Sequence, residues 1–457
     1  MTTHRGLTLA SSVVGAVIVA LDGTVLTVAQ PALQRDLHAS LTQVQWTSTG
    51  YLIAVASLLV FAGRLGDRHG HHRVFALGMV GFGAASAGIG VAPGIGWVIG
   101  LRVIQGVFGA LLQPATLGML RAAYPPERLA MPIALRTSAI GVAAAAGPLV
   151  GGALVTPFGW RAVFFLNVAP ALVMGVLAAM AGGQERVPAT RAPLDLPGAG
   201  LLAAALVCLV YSLATVADSG RPTASAGALL GATAAGFLFV RHERRTRSPL
   251  LPTEMLGRSP VGSALGLLVA VSAAMLGTLF VSSYVLQDVL GLDPLRTALR
   301  ALPAPAAMVL GAPVTAVLMR RYGPRRTAGT ATVLLALGVL VLSRLGQPHA
   351  QVWAAMGFLL VGAGFGTVMV TATAVVVREA PPGSAGVAGG LQQTALNVGP
   401  TVGVAAAGTL MTRTDVASGP TLAVLGCLCL LGVPFALRLP GRPGVRAASV
   451  EQSAPAP

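Results

Sequence analysis

The sequence predicts an all-α polytopic membrane protein with fourteen transmembrane helices, and three features of its 457 residues predict it. Hydrophobic residues make up 54% of the chain and charged ones only 10%, with a mean hydropathy of +0.78, too few polar groups to coat a soluble globule of this length. Apolar runs long enough to cross a bilayer recur from end to end. Charges fall almost entirely between those runs, and every one of the 30 basic Lys or Arg positions is arginine.

A window of about 19 residues places spans near 8–30, 44–62, 74–92, 97–119, 130–155, 161–181, 196–217, 225–240, 261–286, 299–319, 327–344, 351–376, 386–411 and 418–437. The first follows a basic start, His4 and Arg5, that resembles a signal peptide. Its apolar run exceeds a typical signal core and further spans follow, so it reads as a retained helix. It carries one charge, Asp22, near its middle. A carboxylate at membrane depth is costly or takes up a proton, which makes Asp22 a candidate for proton or substrate handling.

Spans two and three are joined by GRLGDRHGHHR, residues 63–73, in which Gly70 permits a tight turn and Asp67 can pair with an arginine or sit at a helix N-terminus. The fourth span, WVIGLRVIQGVFGALLQPA (97–115), contains Arg102, which stays charged and needs a carboxylate, a carbonyl or water. Gln105 and Gln113 extend its polar character. The fifth holds Arg136, placed either to snorkel to the inner surface or to face a cavity, and then GVAAAAGPLVGG (141–152). There Gly147 and Gly151 leave a smooth face for close packing and Pro148 bends the helix.

The basic run RHERRTR (241–247) ends the eighth span and reads as a topogenic, lipid-phosphate-facing loop rather than a nucleic-acid surface; residues 241–260 form a linker. MRRYGPRR (319–326) after the tenth span is a degraded copy of the 63–73 loop, with Gly323 matching Gly70 and Arg320 in place of Asp67, 253 residues on. The chain therefore contains two related halves. GLQQTALNVGPTVG (390–403) places Gln393 and Asn397 on one helix face and Gly399 and Gly403 on a small-residue seam. The tail after Leu439, rich in Pro, Ala and Ser, reads as disordered.

An even number of spans puts both termini on one side, and with the termini cytoplasmic 21 arginines face inward against seven outward, so the cell membrane protein is oriented that way. Cys208, Cys427 and Cys429 lie inside apolar runs, which suits neither disulfides nor metal ligation. The seven histidines lie in loops, at termini or at span boundaries, no nucleotide-binding P-loop is present, and GAGFG (362–366) sits in an apolar helix without completing a dinucleotide fingerprint. No metal, cofactor or enzymatic activity is expected.

Taken together, the 63–73 loop, the Arg102 helix, the 141–152 glycine pattern and LDGTVLTVAQPAL (21–33) resemble the signatures of the major facilitator superfamily, in particular its fourteen-span drug:proton antiporters. WRAVFFLNVAP (160–170) and LDLPGAG (194–200) resemble the starts of that family's sixth and seventh helices. The resemblance implies two six-helix halves, residues 1–182 and 259–440, an inserted helix pair in 183–258 and a tail in 441–457. It assigns an inner-loop latch to Gly63, Asp67, Arg68, Gly70 and Arg73, with His71 and His72 where arginine or lysine is usual. It assigns proton coupling to Asp22 and Arg102, and exporter-motif helix packing to Gly141, Gly147, Pro148, Gly151 and Gly152. Thr24 and Pro31 match the first-helix signature, whereas Thr27 and Gln30 depart from it. Thr24, Gln30, Gln105, Gln113, Arg136, Gln393 and Asn397 are candidates to line the cavity. The implied function is proton-coupled export of a small lipophilic substrate by a monomer among membrane lipids. The alternative, a carrier for small polar metabolites, calls for more intramembrane polar groups than Asp22, Arg102 and Arg136 provide.

Overall fold

The computed structural model describes residues 2–181, 195–216, 222–246, 249–250, 260–292, 294–345, 350–381, 383–413 and 418–441. The first six helices are α1 (Thr2–Asp36), α2 (Leu41–His69), α3 (His71–Gly90), α4 (Ile95–Ala123), α5 (Ala130–Phe158) and α6 (Arg161–Ala181). A hairpin follows, α7 (Leu196–Val216) and α8 (Pro222–Glu243). The remainder comprises α9 (Pro260–Tyr284), α10 (Pro294–Ala301), α11 (Pro303–Tyr322), α12 (Pro324–Leu342), α13 (Ala350–Glu379), α14 (Ala385–Arg413), α15 (Ser418–Leu430) and α16 (Val433–Leu437).

Among the described residues twelve helices are long and apolar enough to cross a membrane, so the fourteen expected from the sequence are not supported. Two expected spans are not among the twelve. The span expected over 196–217 is the helix α7, Leu196–Val216, whose side chains are described as far as Ser212. In α14, Gln392, Gln393 and Asn397 dilute the apolar run. The expected tail beyond Gly441 and most of the expected 241–260 linker lie outside the described residues, yet Leu250 is buried and its N–H bonds Glu243 at 3.0 Å.

Helix ends follow local chemistry. Ser40 and Gln43 form a reciprocal capping box at the start of α2, satisfying two otherwise orphaned N–H groups. Gly70 joins α2 to α3 at φ +96°, and Gly323 joins α11 to α12 at φ +81°, a backbone region that glycine enters without a Cβ penalty. The two related loops thus make the same kind of turn. The span expected over 299–319 is divided into α10 and α11, because Pro303 has no N–H to bond back to Leu299; Leu302 bonds that carbonyl instead at 3.4 Å.

Buried apolar side chains of α1 to α6 form two clusters, one around Phe75, Phe82 and Leu112 and one around Leu26, Leu33 and Phe164. The helices from α9 onward share a larger core around Leu335, Phe358 and Val375. The two groups meet where α2 and α4 run against α14 and where α5 runs against α11 and α13. A cluster of Leu117, Leu120, Ile133, Ala316, Val370 and Ala374 closes that seam at the end of the bundle carrying Arg64, Arg68, Arg121 and Arg378, here the basic end. The α7–α8 hairpin is held by Ser212 and Ser225, each donating its hydroxyl to the other's carbonyl at 2.9 and 3.1 Å, and α7 lies against α2.

Candidate functional site

Side chains and a carbonyl from five helices, α1, α2, α3, α4 and α6, form one network around Asp22. Arg102 Nη1 of α4 lies 2.6 Å from Asp22 Oδ2, while Gln105 Nε2 of α4 and Asn167 Nδ2 of α6 donate to Asp22 Oδ1 at 3.2 and 3.0 Å. Arg102 also donates through Nε to the Thr47 carbonyl of α2 at 3.0 Å and through Nη1 to Gln105 Oε1 at 2.6 Å. Its guanidinium sits 4.2 Å from the centre of the Tyr51 ring. Gln105 in turn donates to Ser86 of α3 at 2.7 Å. Asp22, Arg102, Gln105 and Asn167 are all at most 2% exposed.

This network has a chemical consequence. A buried pair in which one partner is deleted costs about 3–5 kcal/mol, because the other charge is left alone. Here the guanidinium also has a carbonyl, an amide oxygen and an aromatic face, so its charge is shared among several partners on three helices. The sequence singles out Asp22, Arg102 and Gln105, and the structure brings them together. Thr47, Tyr51, Ser86 and Asn167 were not anticipated. For Asn167 a signal existed, since it is the single amide within an apolar helix.

The glycines of α5 position α1. A Cβ at Gly147 would collide with Thr24, and one at Gly151 would lie 3.2 Å from both Val25 and Val28. Both contacts fall within two turns of Asp22. Gly141 instead faces Val309 of α11, and Gly152 meets nothing within 4 Å. Pro148 lies within α5, with its side chain outside those described. Thr24 bonds its own helix's carbonyls at 3.1 Å, and Gln30 bridges α1 to Ser48 of α2 at 3.0 Å.

At the basic end, Asp67 caps α14. Its Oδ1 accepts the Gly386 N–H at 2.7 Å and its Oδ2 the Val387 N–H at 3.0 Å, with His71 Nε2 3.4 Å away. Gly63 and Gly386 bring the α2 and α14 backbones into direct contact, where either Cβ would overlap the opposing carbonyl. Arg121 adds a second tie, donating to the Val377 and Arg378 carbonyls of α13. Arg68 and Arg73 form no ion pair with Asp67 among the described residues, and Arg73 is exposed.

Arg136 is 1% exposed and bonds Gln113 Oε1 at 3.3 Å. Gln393 is half-buried, and the Asn397 amide nitrogen is buried without a partner. Gly399 and Gly403 seat α14 against Val269, Ser272 and Ala273 of α9.

Comparison with known proteins places this geometry in context. The family model described as Major Facilitator Superfamily matches residues 13–404. The chain is 40% identical over 408 residues to the tetracenomycin C resistance and export protein of Streptomyces glaucescens, covering 88% of this chain and 75% of that one. It is 35% identical to the probable actinorhodin transporter of Streptomyces coelicolor, covering 85% and 69%, and 31% identical to the multidrug efflux pump LfrA of Mycolicibacterium smegmatis, covering 92% and 84%. Its fold is similar to that of the human organic anion transporter MFSD10, with a TM-score of 0.67 at 16% identity over 94% of this chain and 99% of that one.

Proposed function

The chain belongs to the major facilitator superfamily, and from that premise we propose that it exports lipophilic drugs or natural products in exchange for protons, by alternating access across the cell membrane. It is a transport protein and not an enzyme. The observation that carries the proton-coupled reading is Asp22, a carboxylate in the middle of a membrane-spanning helix, ion-paired with Arg102 and surrounded by amides. Relatives named for export and drug efflux support the direction of transport.

In this reading residues 1–182 and 259–440 are the two moving halves, residues 183–258 an inserted helix pair, and both termini are cytoplasmic. A proton arriving from outside neutralises Asp22 and loosens its hold on Arg102. The halves then part at the basic end, where Asp67, Gly63, Gly386 and Arg121 hold them together. The substrate leaves in the opposite phase, with Asp22 ionised again.

The test compares growth of an efflux-deficient bacterium making wild type or Asp22→Asn against lipophilic cations, neutral antibiotics, apolar acids and dyes. Wild type raises tolerance to a subset of these, and Asp22→Asn, at equal membrane abundance, does not. In everted vesicles the same subset collapses a preformed pH gradient only with wild type. Tolerance unchanged by either protein overturns the export reading, and export undiminished by Asp22→Asn overturns the proton site.

A further inference from the structure

We propose that Arg136 is the counter-charge for an ionised oxygen of the exported compound, so that the preferred substrates are mostly apolar molecules bearing one carboxylate or phenolate. The inference deepens the transport reading and rests on it.

Arg136 lies six residues into α5, about 9 Å along the axis, and its burial shows that it does not snorkel to the surface. Ile133 and Ile140, three residues before it and four after, share its helix face. Ile133 belongs to the cluster that closes the seam, and Ile140 packs on the core of the second half. Arg136 is therefore buried in the seam between the halves.

The charge balance there is open. Asp22 and Arg102 neutralise each other, whereas Arg136 forms no ion pair among the described residues. A guanidinium cannot shed its proton and presents five N–H donors. One contact is made, to Gln113, and the buried Nε has no partner. An uncompensated buried cation is costly until an anion joins it.

The other half meets α4 beside Gln113. Gly389 seats α14 against Pro114, the residue after Gln113, with a Cβ 3.2 Å from the Pro114 Cα. Asn397, whose buried Nδ2 also lacks an acceptor, lies eight residues further along α14, about 12 Å, and belongs to a different height of the seam. A buried cationic donor without an acceptor, set in the seam between the halves, describes a receptor for an anionic oxygen. From Gln105 to Gln113 is eight residues of α4, about 12 Å, so this position is distinct from the Asp22 network.

The test uses purified protein in lipid nanodiscs and three probes on one scaffold: 9-anthracenecarboxylate, its methyl ester and 9-(aminomethyl)anthracene. Wild type binds the acid at least tenfold more tightly than the ester, and the amine most weakly. Arg136→Gln makes acid and ester equal, while Arg136→Lys keeps part of the preference. Gln113→Glu supplies an internal carboxylate to Arg136, leaves the unfolding temperature at or above that of wild type and abolishes the acid preference. It decides the matter even where Arg136→Gln fails to fold. Equal or absent binding of acid and ester by wild type overturns the inference, as does an acid preference surviving in Arg136→Gln or Gln113→Glu. Tolerance to lipophilic cations without any acid preference leaves the export reading standing and removes only the role of Arg136.

Discussion

On the proposed alternating-access cycle, replacing Asp67 with Asn weakens a contact made only while the two halves are closed at the basic end. The carboxylate accepts two N–H groups from the first turn of α14, at 2.7 and 3.0 Å, and lies against His71. Asparagine keeps one acceptor, aims its NH₂ at the other N–H, and carries no charge. Loss of a cap costs about 1 kcal/mol. Loss of a buried negative charge at a helix N-terminus adds about 1–2 kcal/mol. The sum, about 2–3 kcal/mol, raises the ratio of open to closed forms roughly 30- to 150-fold, at about 1.4 kcal/mol per factor of ten. Spin labels at exposed His69 and Glu379, in a variant lacking Cys208, Cys427 and Cys429, read this as growth of a longer-distance population in pulsed electron resonance. Gly390→Leu serves as the positive control, because a Cβ there already lies 2.9 Å from the Val60 Cα and blocks closure. An unchanged distribution in Asp67→Asn, beside an opened one in Gly390→Leu, refutes the assignment of closing energy to this cap.

Asp22→Asn and Arg102→Gln are each expected to lower stability by about 2–4 kcal/mol in detergent denaturation, and the double variant by about 1–3 kcal/mol less than their sum; additive losses would mean that the buried pair is not coupled. Gly147→Val drives a branched side chain into Thr24 and displaces α1, so both unfolding temperature and export fall, whereas Gly152→Ala, facing open space, leaves both unchanged; equal behaviour of the two variants refutes the packing assignment. Arg121→Gln removes the charged donor to the Val377 and Arg378 carbonyls and shifts the same spin-label distances in the same direction as Asp67→Asn, by a smaller amount; an unaltered distribution removes that tie from the seam.

Much of the site was legible because a polar residue stands out in an apolar helix. Asp22, Arg102 and Gln105 are visible for that reason, and the Gly70 and Gly323 turns because glycine there is a backbone requirement. What periodicity does not encode is which helices become neighbours. Thr47 enters the network through its carbonyl, Tyr51 through its ring face, and Ser86 as one of many small hydroxyls. Gly147 and Gly152 look alike in the motif, yet one touches α1 and the other touches nothing, a difference set by helix rotation. The span count failed at α14 for a related reason: the amides that lower its hydropathy lie on a helix packed between α2, α4 and α9, where burial in protein replaces lipid contact.

The position of α4 connects the two ends of the proposed cycle. The same helix carries Arg102 and Gln105 against Asp22, Gln113 against Arg136, Pro114 against Gly389 of α14, and Arg121 against the α13 carbonyls. From Arg102 to Arg121 it spans 19 residues, about 28 Å, and Pro114 removes the backbone bond to Ala110 partway along it, a place where a helix bends at low cost. In that cycle the pair broken at one end of α4 is worth a few kcal/mol, and the cap and carbonyl ties at the other end are worth about the same. Were the closing contacts much stronger, protonation could not open the basic end; were they much weaker, ionised Asp22 could not keep it shut. In the proposed cycle, comparable magnitudes on one helix let proton uptake tip the balance between the two arrangements.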